Sequence, residues 1–305
     1  MSLVSLIAAL LIEQLQPLSK RGGISIAIAR YANFLERQLN AGEHRHGVIA
    51  WLVAVVPAVV GLAVLYWLLH RVHPLLALLL NVAVLYVTMG FRQFSHYFTD
   101  IHHALRQGDV ESARATLATW RGQSADGLDA SDIARLAIEE GIVAAHYHVF
   151  GVIVWFVLLP GPSGALLYRL SLHLSKRWGG LPEAGPFREF PRRAFAVLDW
   201  LSARLTAAAF AVAGDFEDAV YCWRAQAHLW PDHNLGVVLA SGAGALGVKL
   251  GMPIRAGHEL VDRPELGVGD MADAAFMESA IGLGWRALVM WMLLLLLLGF
   301  ASVVG

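Results

Sequence analysis

From Val48 to Leu69 the chain runs for 22 residues without a charge and closes on Tyr66 and Trp67. From Ile281 to Val304 it does much the same, with six consecutive leucines and Arg286 as the one interruption. About 20 helical residues cross the roughly 30 Å hydrocarbon core of a bilayer, and aromatic residues mark its edges. Within lipid the backbone must satisfy its own hydrogen bonds, so runs of this kind are read as helices. Composition agrees: 57% of the 305 residues are hydrophobic and 15% are charged, against about 25% charged in an ordinary soluble domain. The expected fold class is all-α, a polytopic membrane helix bundle, and its helices form one integral membrane domain over residues 1–305. The number of spans is left between five and eight.

The remaining segments sort around these two. Leu3 to Ile12 is apolar and too short to span unless it continues through Leu18. No basic stretch precedes it and no small-residue cleavage site follows, so it reads as a retained segment. Ile24, Ile28, Tyr31 and Leu35 recur at three- and four-residue spacing among basic residues, which predicts a helix lying on the membrane surface. Leu75 to Gly90 forms a hairpin with the Val48 span, and Pro74 suits a first helical turn. Residues 91–141 read as helix, turn, helix: acidic residues follow Gly108, and Asp129 to Glu140 is a second helix for which Ser131 is the expected cap. Gly214-Asp215 echoes Gly108-Asp109, which a shared way of starting helices explains. Ile142 to Leu159 is a span and Ala165 to Trp178 an amphipathic basic helix. Ala194 to Ala213 is apolar but carries Asp199 and Arg204, so it should face the bundle interior.

Between Leu235 and Leu250 small residues recur every fourth position (Gly236, Ala240, Gly244), a pattern that lets helices approach backbone to backbone. Sixteen helical residues span only about 24 Å. A short, small-residue-rich re-entrant or packed segment is expected, feeding a late loop at about 251–280. Basic residues concentrate at 20–45, 92–135, 169–193 and 249–286, which by the positive-inside rule puts the 91–141 region and the late loop in the cytoplasm. The expected location is the inner (plasma) membrane, multi-pass, with lipid as a partner. A net charge of −1 gives no footprint for nucleic acid, and the single cysteine, Cys222, excludes an internal disulfide.

Candidate chemistry is sparse. His96, Asp100 and His103 share a helix face and would suit zinc, but interfacial Phe91, Phe94, Tyr97 and Phe98 favour a surface-lying helix, so no metal site is assigned. His146 and His148 point to different faces and are placed at the interface end of a span. Phosphate loop and nucleophile elbow are both missing from the sequence. Acidic candidates are Glu259, Asp262, Asp270 and Asp273 in the late loop and Glu139 and Glu140 before a span.

The run Ala243 to Gly251, followed by Gly257-His258-Glu259-Leu260-Val261-Asp262-Arg263-Pro264 and Gly267, resembles the C-terminal signature of the CobD/CbiB family of cobalamin-biosynthesis membrane proteins. Asp199-Trp200-Leu201-Ser202-Ala203-Arg204-Leu205 is similar to a second motif of that family. The resemblance implies an ATP-dependent, amide-forming synthase that joins aminopropanol or its phosphate to adenosylcobyric acid, giving adenosylcobinamide or its phosphate. It implies ATP and Mg²⁺ as cofactors and the corrinoid and aminopropanol (phosphate) as substrates. On it, Asp262 and Asn234 take catalytic roles that orient substrate or metal, while Arg204, Lys249, Arg263 and Asp199 bind substrate. Leu239 and Leu260 stand where the family carries charge, and in this the chain is similar to the AmpE-like inner-membrane proteins. The alternative reading is therefore a non-catalytic membrane sensor.

Overall fold

The computed structural model describes residues 2–15, 21–40, 42–180, 182–256 and 259–304. Helices dominate: α1 (Ser2–Leu15), α2 (Arg21–Leu39), α3 (His44–Val72), α4 (Pro74–Thr88), α5 (Phe91–Arg106), α6 (Val110–Arg121) and α7 (Ala130–Ala145). A π-helical turn (His146–Phe150) joins α7 to α8 (Gly151–Leu158), and α9 (Ser163–Gly179), α10 (Glu189–Ala213), α11 (Phe216–Gln226) and α12 (His233–Leu246) follow. Five short strands come next: β1 (Val248–Gly251), β2 (Ile254–Ala256), β3 (Glu259–Val261), β4 (Glu265–Leu266) and β5 (Asp270–Met271). The last helix is α13 (Ala274–Val304).

Among the described residues four segments are long and apolar enough to cross a membrane: His44–Val72, Ala130–Leu158, Gly185–Ala213 and Ala274–Ala301. Leu3–Leu15 and Pro74–Thr88 are shorter apolar helices. The chain is an all-α polytopic bundle, as its apolar runs predict, and Pro74 does open α4. Asp109 and Asp215 cap α6 and α11 alike, each accepting from a backbone N–H three residues on, which accounts for the sequence echo. Ser112's hydroxyl and then its N–H hold the Asp109 carboxyl below its ordinary range.

Several boundaries differ from the sequence reading. The helix expected to stop at Glu140 and the span expected from Ile142 are one continuous segment, because Gly141 is no break. A Cβ there would meet the Phe98 ring at 2.9 Å, so this glycine serves close packing. Ser131 is not the cap of α7. Asp129 accepts from Asp132 N–H at 2.8 Å, and Ser131 instead donates its hydroxyl to the Ala272 carbonyl at 2.7 Å. His146 is not at the interface end of a span either. With the helix starting at Ala130 it falls well inside the segment, fully buried, 2.9 Å from the Thr206 hydroxyl. The small-residue helix is shorter than expected: Gly247 adopts a left-handed conformation (φ 66, ψ 37), ends α12 at Leu246 and sends Val248–Gly251 into a strand.

The described residues form two compact units, 1–90 with 151–202 and 91–150 with 203–305. In the first, Ala32, Leu35, Ala50, Ala54, Val55, Leu174, Trp178 and Phe187 make the core. The Trp178 indole N–H reaches the Ala32 carbonyl at 3.3 Å, so α2, although amphipathic, is pinned by its apolar side. Gly151 gives space to the Tyr168 ring and Gly164 to the Trp155 backbone.

In the second unit α12 is buried from Gly236 to Ala245, and its glycines are the contact surface. A Cβ on Gly244 would lie 2.8 Å from Ala219 Cα of α11, and one on Gly236 would lie 2.8 Å from Trp230 Cβ. The small-residue stripe thus seats α11 directly on α12. Cys222 of α11 is buried there, and burial first, with the Asp218 charge second, pushes its thiol up to about 11. At neutral pH the thiol stays protonated, and the thiolate is the reactive form. The folded protein in mild detergent is therefore expected to resist maleimide until denaturant is added, and fast labelling of the native state would contradict this packing.

Candidate functional site

The late segment begins as a set of backbone contacts that only glycine allows. Gly251 (φ +72), Gly267 (φ +89) and Gly269 (φ +93) lie where an added Cβ would run into the Pro264, Val248 and Gly247 carbonyls. β1 pairs antiparallel with β4 and parallel with β5, while β2 and β3 pair antiparallel, Ile254 facing Val261. Met252 N–H closes on the Pro264 carbonyl at 3.1 Å. Gln226 of α11 brackets Gly267, its amide accepting from the Gly267 N–H at 2.6 Å and donating to the Gly267 carbonyl at 3.1 Å. The expected loop is therefore a knot of short strands tied to the helices of its unit.

Glu139 of α7 is the point at which that knot meets a helix. It is 7% exposed; one carboxylate oxygen accepts from Gly251 N–H at 2.9 Å, and the other pairs with the Arg263 guanidinium. Arg263 in turn stacks over Trp230, 5.0 Å from the ring centroid. One turn before Glu139, Arg135 is also buried and is held by Asp132 at 2.5 Å. Arg121 and Glu140 pair at 3.2 Å nearer the surface. Close by in sequence to Trp230, Asp232 caps α12, accepting from Asn234 N–H at 3.0 Å and Leu235 N–H at 3.1 Å. Arg204 donates to the Asn234 amide oxygen at 3.1 Å. Guanidinium groups partly or wholly withdrawn from water and held in place by carboxylate or amide oxygens are suited to holding anionic groups.

The residues singled out from sequence separate on the structure. Arg204 and Asn234 come together, and Arg263 joins the Glu139 constellation. Lys249 pairs with Glu265 at 3.0 Å and is half-buried. Asp262 faces solvent at the end of its ribbon. Asp199 belongs to the other unit. It is 1% exposed and accepts the Tyr168 hydroxyl at 2.6 Å. It faces the interior, as its apolar surroundings predict, with a partner already on its carboxylate. Tyr168→Phe removes that donor and is expected to lower stability by about 1–3 kcal/mol, the cost of leaving a buried acceptor short, read as a lower melting temperature in detergent. An unchanged melting temperature would show that other groups hold Asp199. Gly257 and His258 of the late motif lie outside the described residues.

Three participants were not singled out as site residues: Glu139, ranked only as one acidic candidate among several, and Trp230 and the Gly251 N–H. The available signal was Arg135 and Glu139 at i and i+4, two charges on one helix face just ahead of an apolar run. Among the described residues no group of three or more His, Cys, Asp or Glu side chains gathers as a metal cluster would. His96 packs against Tyr97 at 5.0 Å between ring centroids.

Comparison with known proteins bears on this arrangement. The family described as CobD/Cbib protein matches residues 6–283. The chain is similar to the cobalamin biosynthesis protein CobD of Stutzerimonas stutzeri, 36% identical over 97% of this chain and 98% of that one. It is 35% identical to the protein of the same name from Chromobacterium violaceum over 74% of this chain and 72% of that one. For the Mycobacterium tuberculosis (strain CDC 1551 / Oshkosh) protein of that name the figures are 30% identity, 86% and 84%. No solved structure matches.

Proposed function

The chain belongs to the CobD/CbiB family, and from that membership we propose that it works in cobalamin biosynthesis as a membrane-bound, amide-forming synthase. The reaction joins the amine of aminopropanol, or of its phosphate, to a carboxyl of adenosylcobyric acid and gives adenosylcobinamide or its phosphate. The names of the relatives favour this reading over the AmpE-like sensor. The observation that carries it is the buried constellation of Glu139, Arg263 and the Gly251 N–H, expensive charge in a chain otherwise poor in charge. Such groups suit substrates that bring carboxylate and phosphate with them.

The ATP and Mg²⁺ implied by the resemblance fit part of this donor set. Arg204 stands beside the N-terminus of α12, where guanidinium and helix dipole both favour nucleotide phosphates. Mg²⁺ typically binds through one or two carboxylates together with substrate phosphates, and the exposed Asp262, next to Arg263, is the carboxylate suited to that. ATP would supply the phosphoryl activation that lets a carboxyl condense with an amine in water. We place the site on the cytoplasmic side of the inner membrane, following the basic residues of 92–135 and 249–286.

The test is a strain lacking this gene and any second synthase, fed either cobyric acid or cobinamide. Cobalamin is expected from cobinamide alone, with cobyric acid use restored by the wild-type gene and not by Arg263→Ala present at equal amount in the membrane. Cobalamin made from cobyric acid without the gene would overturn the proposal.

A further inference from the structure

Within the second unit, α5, the α7–α8 segment and α13 leave a cavity of about 180 Å³ between them. Ile142 and Ala145 line it from α7 and Leu288 from α13, and the buried Phe150 and Phe210 rings, 5.5 Å apart and perpendicular, close its deep end. The mouth is less apolar: Thr99, Ile281 and Trp285 line it and are exposed. From Ala280 to Leu288 the lining runs about 12 Å along α13, so the space is a slot. Gly284 keeps it open, because an added Cβ there would meet nothing within 4 Å. At Gly236 and Gly244 of the same unit glycine brings backbones together; at Gly284 it faces a void.

Water does not suit this lining. A buried water needs about two to four polar partners, and the Thr99 hydroxyl already donates to the Ser95 carbonyl at 2.8 Å. Size excludes the corrinoid and the nucleotide, since an apolar cavity of about 150 Å³ takes a molecule no larger than benzene or xenon. Depth points to lipid. Arg286 is exposed and is the last charge before Ala287–Val304, a run of about 27 Å against a hydrocarbon core of about 30 Å. Arg286 and Trp285 therefore mark the headgroup level, and the slot leads from there toward the acyl chains. We propose that it binds one acyl chain of a membrane phospholipid, entering past Trp285 with the headgroup left outside. Neighbouring tails are as apolar as the slot, so the gain is in packing: the chain restores dispersion contacts that the empty walls forfeit.

The experiment reconstitutes the full-length protein in bilayers of palmitoyl-oleoyl phosphatidylethanolamine and phosphatidylglycerol and extracts it into a sterol-based detergent, whose fused rings the slot does not admit. Native mass spectrometry then weighs what stays bound. The wild type is expected to retain one phospholipid through washing. Gly284→Leu puts a side chain into the slot and should lower that retention about tenfold or more, since an occupied space cannot be packed twice. Gly282→Leu is the matched control: its Cβ also meets nothing within 4 Å, but Gly282 does not line the slot, and retention should stay at the wild-type level. Ala280→Leu, which also intrudes on the lining, replaces Gly284→Leu if the latter fails to fold. After exhaustive delipidation, Gly284→Leu should melt above Gly282→Leu, because both gain the same helix propensity and only the first fills a void. The proposal is overturned if the wild type retains no phospholipid, if Gly284→Leu retains as much as the wild type, or if Gly282→Leu loses as much as Gly284→Leu. It is equally overturned if the wild type is a dimer that Gly284→Leu dissociates, which would make a second copy of the chain the occupant.

Discussion

Glu139→Ala is expected to cost about 3–5 kcal/mol of stability, the penalty for breaking a buried ion pair by removing one partner. Two partners are stranded together: Arg263, 14% exposed at its side chain, and the Gly251 N–H. In a protein whose whole stability is about 5–15 kcal/mol this approaches loss of the fold. Glu139→Gln keeps an oxygen for Gly251 and should cost distinctly less. The control is Lys249→Ala, which removes a half-exposed, solvent-accessible pair with Glu265 and should cost no more than about 1 kcal/mol. Thermal unfolding in detergent decides the matter. Equal melting temperatures for Glu139→Ala and Lys249→Ala would show that the Glu139 pair is not the tie between the strand knot and α7.

Gly244→Leu should be as damaging for a different reason. The nearest atoms to an added Cβ belong to the α11 backbone at Asp218 and Ala219, so the neighbour has no side chain that can move aside. Overpacking against side chains typically costs about 1–3 kcal/mol. Against backbone the helices must separate, and the burial of Ala219 and Cys222 goes with them. Gly244→Ala should fall within the 1–3 kcal/mol range and Gly244→Leu should leave little folded protein on size exclusion. The same substitution at Gly282, where an added Cβ meets nothing within 4 Å, should be nearly silent. A Gly244→Leu protein that elutes and melts like the wild type would refute the close approach of α11 and α12.

What the sequence made legible was what a single period or a single residue type controls. Apolar runs located α3 and α13 and the hairpin into α4, because lipid allows little else. The glycine and alanine stripe marked α12 as a packed helix. Where an element ends depends on competing local signals, and there the reading slipped. Gly141 looked like a break and is a packing residue, Ser131 looked like a cap and Asp129 took that role, and Gly247 stopped a helix expected to run on to Leu250. The short strands were invisible because two- to four-residue ladders carry no periodicity to detect. The site was half legible. Arg204, Asn234 and Arg263 came from motif resemblance and do make polar contacts. Glu139 and Trp230 owe their place to contacts at 124 and 33 residues' separation from Arg263, which a linear pattern cannot report.

The glycines of the strand knot carry a consequence for how this gene can change. Every missense substitution one nucleotide away from a glycine codon introduces a Cβ. At Gly251, Gly267 and Gly269 that atom would meet a carbonyl from a neighbouring stretch of chain, on a backbone already in the left-handed region. Drift cannot pass through these codons by small steps, whereas the exposed leucines of α13, such as Leu293, Leu296, Leu297 and Leu298, can exchange among apolar residues freely. In a saturation library selected for growth on cobyric acid, positions 251, 267 and 269 should therefore be as barren as 139 and 244, while the exposed leucines of α13 are the most permissive.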